Sequence, residues 1–267
     1  MLNGSLVQFA QQDLVLGWSA DERKRIETSI SNLQYWLNKK LEVSETMVFG
    51  SWTRNTILPR KYDEGSDIDL MVVFNGNLNN RDPEWCRGRL RSFVASGYPR
   101  SDVRKDAPAV KLELDFIKYD LVPAVIDECT GQYYIPNTSQ YGSGWMLTSP
   151  KDIDSKLSRI NTDIGGNLAR DVIRLCKYMN KSTGRIAMSS YELESFVLNS
   201  VQSISYFTPK RTYDYFLEVM GIIGAEWRIL DPQSFQNILD WIVYYRRRGN
   251  ISGQVTWMKH LLPNFRV

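Results

Sequence analysis

Two carboxylates lie one residue apart in an otherwise apolar stretch, Asp67 and Asp69 in DIDLMVVF. Side chains alternate across a β-strand, so a strand here places both aspartates on one face, with their Cα atoms about 6.5 to 7 Å apart. Two like charges at this spacing are unfavourable unless a cation lies between them or one is protonated. Carboxylate oxygens are hard ligands, which favour Mg²⁺ or Mn²⁺. The pair therefore predicts a divalent metal site, although a DxD by itself is more often a solvated turn.

A Gly-Ser pair, Gly50 and Ser51, precedes these aspartates and follows the apolar run TMVF. The next residues, WTRNTIL, are predicted to begin a helix. A glycine lets backbone N–H groups approach a phosphate closely, and a helix N-terminus favours negative charge. The Ser51 hydroxyl adds a donor, and Arg54 and Thr56 are further candidate donors. A Gly-Ser pair alone usually marks a loop, but its position between two predicted strands favours a phosphate-binding turn.

A third carboxylate would complete a two-metal site, in which ions about 3.5 to 4 Å apart activate the attacking oxygen and stabilise the leaving one. The candidates are Asp115 and Asp120 in KLELDFIKYDLVPAV. Asp120 opens the apolar run DLVPAV on the same face as Val122, whereas Asp115 falls where the preceding run breaks toward a turn. Asp120 is therefore preferred, and Asp115 remains the alternative.

The composition excludes several other kinds of chemistry. The net charge is only +3, from 33 basic and 30 acidic residues, so a general nucleic-acid binder is not indicated. His260 is the single histidine, which argues against Ser-His-Asp catalysis and histidine-rich metal sites, and we interpret it as structural. The 3 cysteines form no CxxC pair. No stretch of about 20 apolar residues and no secretory signal is evident, so we expect a cytoplasmic protein without membrane contact.

The periodicity of apolar residues divides the chain into two parts. A helix is predicted at about 20–40, opened by a capping box from Ser19 to Glu22. Short β-rich runs extend from 46 to 125, interrupted by one helix beginning at Asp82-Pro83, and a Gly/Ser/Tyr-rich connection, GQYYIPNTSQYGSGW, follows them. After Pro150 the pattern is helical to the end. We therefore predict a mixed α/β (α+β) protein with domains 1–150 and 151–267.

The combined motifs resemble the DNA polymerase β-type nucleotidyltransferase superfamily. The resemblance is closest to the cyclic GMP-AMP synthase and oligoadenylate synthase branch, and within it to the bacterial CD-NTase family. It lies in Gly50-Ser51, DID at 67–69, YDLVPA at 119–124 and IPNTSQYGSGWMLTSPKDIDSKL. It implies a polymerase β-type core with a mixed sheet over 1–150, including an N-terminal helix. It also implies a C-terminal all-helical lobe, 151–267, that closes over the nucleotide.

Three residues of the helical half acquire candidate roles from this resemblance. LCKYMNK is similar to the helix whose lysine reaches the donor triphosphate, which here is Lys177. SSYELES is similar to a segment in which a serine contacts phosphate and a tyrosine stacks on a base, here Ser190 and Tyr191. Each has an ordinary alternative: a solvated helix lysine, a helix cap and a packed aromatic ring, respectively.

The resemblance implies a Mg²⁺- or Mn²⁺-dependent enzyme with two ions that joins ATP or other NTPs and releases pyrophosphate. Its product would be a cyclic or linear di- or oligonucleotide second messenger in anti-phage signalling. The stretch 81–105 is a candidate surface for an unknown activator, or else an ordinary solvated helix and loop. A stable nucleic-acid partner is not implied. The alternatives are a template-independent RNA 3′-end nucleotidyltransferase, a nucleotide-binding regulator without catalysis, and transfer of a nucleotide to a protein. Arg246, Arg247 and Arg248 fit a solvated helix end.

Overall fold

The computed structural model describes residues 2–98, 103–106, 108–137, 144–205, 210–226 and 229–267. Over these residues the helices are α1 (Leu2–Gln8), α2 (Ala20–Lys40), α3 (Pro83–Gly97), α4 (Asp152–Ile164), α5 (Leu168–Thr183), α6 (Ser190–Ser205), α7 (Thr212–Ala225), α8 (Pro232–Arg247) and α9 (Ile251–Met258). The strands are β1 (Val43–Phe49), β2 (Ile68–Phe74), β3 (Val103–Asp106), β4 (Ala109–Glu113), β5 (Lys118–Ile126), β6 (Tyr133–Pro136) and β7 (Trp145–Thr148). A π-helical segment, Phe9–Asp13, follows α1.

The strands form a mixed sheet in the order β1-β2-β5-β4-β3, with β6 pairing β5 and β7 pairing β6. β2 and β5 run parallel, and the other paired strands are antiparallel. The predicted mixed α/β class, with a mixed sheet and a helical C-terminal part, is confirmed. No helix within the described ranges has both the length and the apolar character needed to cross a bilayer.

The chain packs as two compact units, each built from separate segments. The sheet unit comprises Ser19–Arg54 and Ser66–Asp152. The helical unit comprises Met1–Trp18, Asn55–Gly65 and Ile153–Val267. The functional division at residue 150 stays a prediction, and the packing adds that the first 18 residues and the segment 55–65 belong with the helices.

Both helices predicted in the sheet unit form where their caps place them. Ser19 Oγ accepts the N–H of Glu22 at the start of α2, and Asp82 accepts the N–H of Trp85 at the start of α3. The apolar stripe of α2 is buried, and Tyr119 of β5 donates its hydroxyl proton to Ser29 of that helix at 2.8 Å. Burial raises the pKa of Tyr119 to about 12. These contacts fix β5, the strand that carries Asp120.

β2 is buried on both faces along most of its length. Ile68, Leu70 and Val72 fill one face, while Met71 and Val73 pack with Ala124 on the face that carries Asp69. The carboxylates therefore lie at the beginning of the strand, and the remainder of their face is apolar. This arrangement confines polar chemistry to one end of β2.

Among the described residues, a large core of the helical unit includes the N-terminal segment. Helix α5 lies at its centre, because nearly every residue from Ala169 to Met179 is buried. Leu6 and Phe9 from the N-terminal segment and Leu58 from the segment 55–65 belong to the same core. These three stretches, which are distant in sequence, are thus held together by burial of apolar surface.

Two local predictions are wrong. WTRNTIL does not begin a helix: 50–55 form a turn, closed by one bond from the Arg54 N–H to the Gly50 carbonyl, and Asn55 takes a left-handed conformation that ends it. The stretch 131–145 is not only a connection, because it contains β6 and the first residue of β7. Its Gly and Ser content is typical of a loop, but β6 forms by pairing with β5 and β7. The residues 138–143 of that stretch and 99–102 of the candidate activator surface lie outside the described residues.

Candidate active site

Three aspartates meet at the beginning of β2. Asp69 pairs with Asp120 in the parallel register of β2 and β5, and Asp67 immediately precedes β2. Each of the three offers a carboxylate oxygen, and these oxygens lie within 4.8 Å of one another. Each residue is partly buried. Asp115, the alternative third carboxylate, lies exposed in the β4–β5 connection and is not a member of this group.

Gly50 packs against one of these carboxylates. A Cβ atom at residue 50 would lie 1.9 Å from Oδ2 of Asp69, closer than real Cβ contacts, and the glycine has φ +79°. Phe49, the last residue of β1, pairs with Asp69 across the sheet, which brings the following turn over the carboxylate. Gly50 is therefore required by its backbone conformation and by its contact with Asp69.

The turn after Gly50 is held by its own polar groups. The Thr53 hydroxyl donates to the Gly50 carbonyl at 2.9 Å. Ser51 is partly exposed, whereas Arg54 is buried. Thr56 was predicted as a candidate hydrogen-bond donor to phosphate. It is buried in the helical unit, where its hydroxyl donates to Glu194. Of the predicted donors, Ser51 therefore has the exposure that a phosphate contact requires.

Lys111 is a neighbour of the carboxylates that the sequence reasoning missed. It lies opposite Asp120 in the antiparallel register of β4 and β5. Its Nζ lies 3.7 Å from Oδ2 of Asp67 and 3.7 Å from Oδ1 of Asp120. In the sequence, a lysine between the apolar residues Val110 and Leu112 is the one indication of this contact. The pairing register of β4 and β5 is needed to show which carboxylates the lysine faces.

The donor set fits a hard divalent cation. Three carboxylates supply oxygen ligands at short mutual distances, and the cluster of three acids and one lysine keeps a net negative charge when all are ionised. Soft ligands are absent from this group, which disfavours zinc or copper. Asp67, Asp69 and Asp120 are thus the residues that could hold a metal.

Lys177, predicted to reach a triphosphate, lies in the helical unit and is only 4% exposed. Its Nζ is 2.8 Å from Oε1 of Glu194, and the same oxygen accepts the Thr56 hydroxyl at 3.0 Å. Glu194 was not singled out in the sequence, because its pairing with Lys177 depends on how α5 and α6 pack. Lys177 therefore takes part in a buried, hydrogen-bonded ion pair.

Ser190 and Tyr191 lie in the first turn of α6, and both are exposed. Tyr191 is 66% exposed, so it is not the packed aromatic of the alternative interpretation. Ser190 is not the helix cap either. Ser189 is the cap, because its hydroxyl accepts the Glu192 N–H while the Glu192 carboxylate accepts the Ser189 N–H.

A second buried ion pair links three chain segments of the helical unit. Arg174 contacts Asp171 at 3.2 Å and donates to the Asn55 carbonyl at 2.7 Å, while Gln11 donates to Asp171 at 2.7 Å. Burial raises the pKa of Asp171 from 3.8 to about 6, although Gln11 and Arg174 oppose the shift. Burial likewise lowers the pKa of Arg174 to about 10. This cluster fixes the segment 55–65 and the N-terminal segment to α5.

The sequence of the chain matches one family model. The SMODS model, described as the Second Messenger Oligonucleotide or Dinucleotide Synthetase domain, matches residues 3–161. The chain belongs to the SMODS family. The resemblance to the CD-NTases is thereby confirmed, and the chain is a nucleotidyltransferase. No curated protein matches it in sequence.

Solved structures share the fold of this SMODS protein at low sequence identity. CdnC of E. coli MS115-1 with ATP is 13% identical with a TM-score of 0.69, and the match covers 99% of both chains. The CdnC:HORMA-deltaN complex is 12% identical with a TM-score of 0.70, covering 99% of this chain and 98% of that one. Vibrio cholerae DncV, a cyclic AMP-GMP synthase in complex with the linear intermediate 5′ pppA(3′,5′)pG, is 10% identical with a TM-score of 0.62, covering 84% and 70%.

Proposed function

We propose that Asp67, Asp69 and Asp120 hold a pair of divalent cations, Mg²⁺ or Mn²⁺, and that the chain joins NTPs into a cyclic or linear di- or oligonucleotide. The observation that carries this proposal is the meeting of three carboxylates within 4.8 Å at the beginning of a buried strand. Burying like charges together is costly without a cation, so a fold that builds such a cluster has a use for one. The family supplies the reaction class.

The reaction that this site suits is attack by a ribose hydroxyl of one nucleotide on the α-phosphate of another. A P–O bond forms to the attacking oxygen, the bond to pyrophosphate breaks, and the hydroxyl proton is lost to solvent. Asp67, Asp69 and Asp120 would hold the cations, with Asp120 on the acceptor side. The bound cations supply charge stabilisation and acidify the attacking hydroxyl. Positioning and charge suffice for this chemistry, so a histidine is unnecessary.

We assign the remaining contacts to the donor nucleotide. The turn at Gly50 and Ser51 binds its triphosphate through backbone N–H groups and the serine hydroxyl. Ser190 contacts phosphate and Tyr191 stacks on the base, which the exposure of both residues supports. We also assign Lys177 to the triphosphate. This contact requires a rearrangement that exposes its ammonium, which is 4% exposed and paired with Glu194.

The cellular role that we propose is second-messenger synthesis in anti-phage defence, from ATP or other NTPs. The CdnC and DncV structures contain ATP and a linear nucleotide intermediate, respectively, which supports NTP substrates for this chain. CdnC also forms a complex with HORMA-deltaN, so a protein activator is a further element of the proposal.

The experiment is incubation of the purified chain with four radiolabelled NTPs and Mg²⁺ or Mn²⁺, omitting one NTP at a time. The expected result is a product that requires the divalent cation and specific NTPs, whose bases are then named by the omissions and by mass. Parallel reactions include an RNA acceptor or a labelled protein acceptor. Label that enters only RNA would instead assign an RNA 3′-end nucleotidyltransferase, and label that enters only protein would assign transfer to protein. Nucleotide binding without any product, with or without an activator, would show that the chain is a nucleotide-binding regulator without catalysis.

A further inference from the structure

Lys111 bridges two of the three carboxylates, and the proposed reaction gives it no role. Its ammonium is equidistant, at 3.7 Å, from an oxygen of Asp67 and an oxygen of Asp120. Asp120 lies in β5 and Asp67 immediately precedes β2, so the lysine contacts two acids that are distant in sequence. A cation between two carboxylates is the arrangement that a divalent ion would also adopt there.

The strand pairing fixes the backbone position of Lys111, whereas its side chain can change conformation. The β4–β5 register places Lys111 directly opposite Asp120, so its side chain lies on the carboxylate face. Its side chain is 34% exposed, and a lysine has a flexible four-carbon stem, so the ammonium can move toward water. Asp69 and Asp120 are held on paired strands and have less freedom.

We propose that Lys111 is a positioning residue that occupies the cation position between Asp67 and Asp120 in the metal-free protein and withdraws when a divalent cation binds there. This inference rests on the proposed metal site. In the metal-free protein the ammonium offsets repulsion among the three acids, which keeps them in place. On metal binding it must yield, so the lysine lowers the affinity of the site and makes it release the ion more readily.

Competition with the metal would distinguish Lys111 from an ordinary surface ion pair. An exposed pair stabilises a protein slightly, and to the same extent whether or not a metal is present. A lysine that competes with the metal stabilises the metal-free protein and weakens the metal complex. The two cases therefore differ in the sign of the effect on metal affinity.

The test measures Mn²⁺ binding by electron paramagnetic resonance without nucleotide, together with the Tm in EDTA and in saturating Mn²⁺. The variants are Lys111→Met, which keeps the stem and removes the charge, Lys111→Gln as a second neutral form, and Lys111→Arg. Lys118→Met is the matched control, because Lys118 is also a partly exposed strand lysine but pairs with Glu113 at 2.9 Å.

We expect both neutral variants to bind Mn²⁺ about three- to tenfold more tightly than the wild type, as the loss of one nearby, partly screened positive charge predicts. Their Tm should be lower in EDTA, and the difference should close in Mn²⁺. Lys111→Arg should restore the wild-type behaviour, and Lys118→Met should retain the wild-type affinity. If the wild type binds Mn²⁺ and the neutral variants bind it equally or more weakly, this inference is wrong and the metal site stands. If the wild type does not bind Mn²⁺ without nucleotide, this inference fails, and product formation from NTPs with Mg²⁺ or Mn²⁺ still decides the proposed function.

Discussion

Gly50 lies so close to the Asp69 carboxylate that a Cβ atom on residue 50 would stand 1.9 Å from Oδ2 and 2.8 Å from Cγ. We expect Gly50→Ala to displace Asp69 and to lower nucleotidyl transfer about 100-fold, since a 1 Å misplacement of a reacting group costs about that much. The measurement is the initial rate of product formation at saturating NTP and Mg²⁺.

The control for this prediction is Gly131→Ala. Gly131 has a similar left-handed conformation, φ +68°, but no atom of the described residues outside its chain neighbours lies within 4 Å of the position that a Cβ atom would take there. Both variants should lose about 1 to 2 kcal/mol of stability through the positive φ. Only Gly50→Ala should lose activity beyond that, and equal activity losses in the two variants would refute a specific role for the Gly50–Asp69 contact.

The third carboxylate can be decided by one pair of variants. Asp120→Asn should lower the rate at least about 100-fold, because it removes a charged ligand from the site, and metal-assisted stabilisation amounts to several kcal/mol. Asp115→Asn should retain the wild-type rate within about twofold, as expected of an exposed residue away from the reacting groups. Steady-state rates at several Mg²⁺ concentrations provide the comparison. An equal loss in Asp115→Asn would return Asp115 to the site.

The features of the fold and of the site that the sequence could predict are those that depend on residues close together in the chain. The caps at Ser19 and Asp82 and the DxD spacing are local patterns, and each can be read without the fold. The choice between Asp115 and Asp120 stayed open because it depends on the parallel pairing of β2 with β5. Register is set by the burial of whole strands, which a single motif does not encode.

The contacts of two lysines were hidden for the same reason. Lys111 faces the acids only because β4 pairs with β5 in one register. Lys177 resembles a solvated helix lysine in sequence, yet α5 is buried on nearly all sides and the lysine meets Glu194. The prediction of a helix after Ser51 was wrong for a different reason. Asn55 adopts a left-handed conformation, which ends the turn after one backbone hydrogen bond.

The Lys177–Glu194 pair should be important for stability. Removing one partner of a buried ion pair leaves the other charge in a low-dielectric interior, which costs about 3 to 5 kcal/mol. We therefore expect Lys177→Met to lower the free energy of unfolding by about this amount in urea titrations. The double variant Lys177→Met/Glu194→Leu should recover much of the loss, because neither charge remains.

The matched control for that pair is Lys210→Met, because Lys210 contacts Glu218 at the same 2.8 Å in a more exposed position. It should cost less than about 1 kcal/mol. A Lys177→Met cost no greater than this would contradict the importance of burial. Any loss of activity in Lys177→Met should be interpreted beside the double variant, which lacks the same lysine but regains stability.

Asp171 predicts a dependence of stability on pH. Its pKa in the folded protein, about 6, exceeds the ordinary value of 3.8, because burial disfavours the charged carboxylate. The folded protein therefore holds this proton more tightly, so the stability from Asp171 is fully present below about pH 4 and is lost as pH rises through 6. The loss amounts to about 3 kcal/mol.

The check is the free energy of unfolding of the wild type and of Asp171→Asn between pH 4 and pH 7.5. Asparagine does not titrate, so the wild-type curve should fall relative to the variant by about 2.4 kcal/mol over this range, most of the full change. Arg170 and Arg174, the charged groups that act on Asp171, stay protonated throughout it. Parallel curves would show that folding does not raise the pKa of Asp171.

The proposed function makes the Asp67, Asp69 and Asp120 cluster the catalyst of a metal-dependent joining of nucleotides. The most direct measurement is chromatography and mass spectrometry of phosphatase-treated products from the wild type and from Asp67→Asn/Asp69→Asn, each incubated with NTPs and Mg²⁺. We expect a phosphatase-resistant, cyclic product from the wild type, or a linear one that resists only at its internal linkages. The double variant should yield neither while keeping its circular dichroism spectrum. Undiminished product from the folded double variant would contradict the claim.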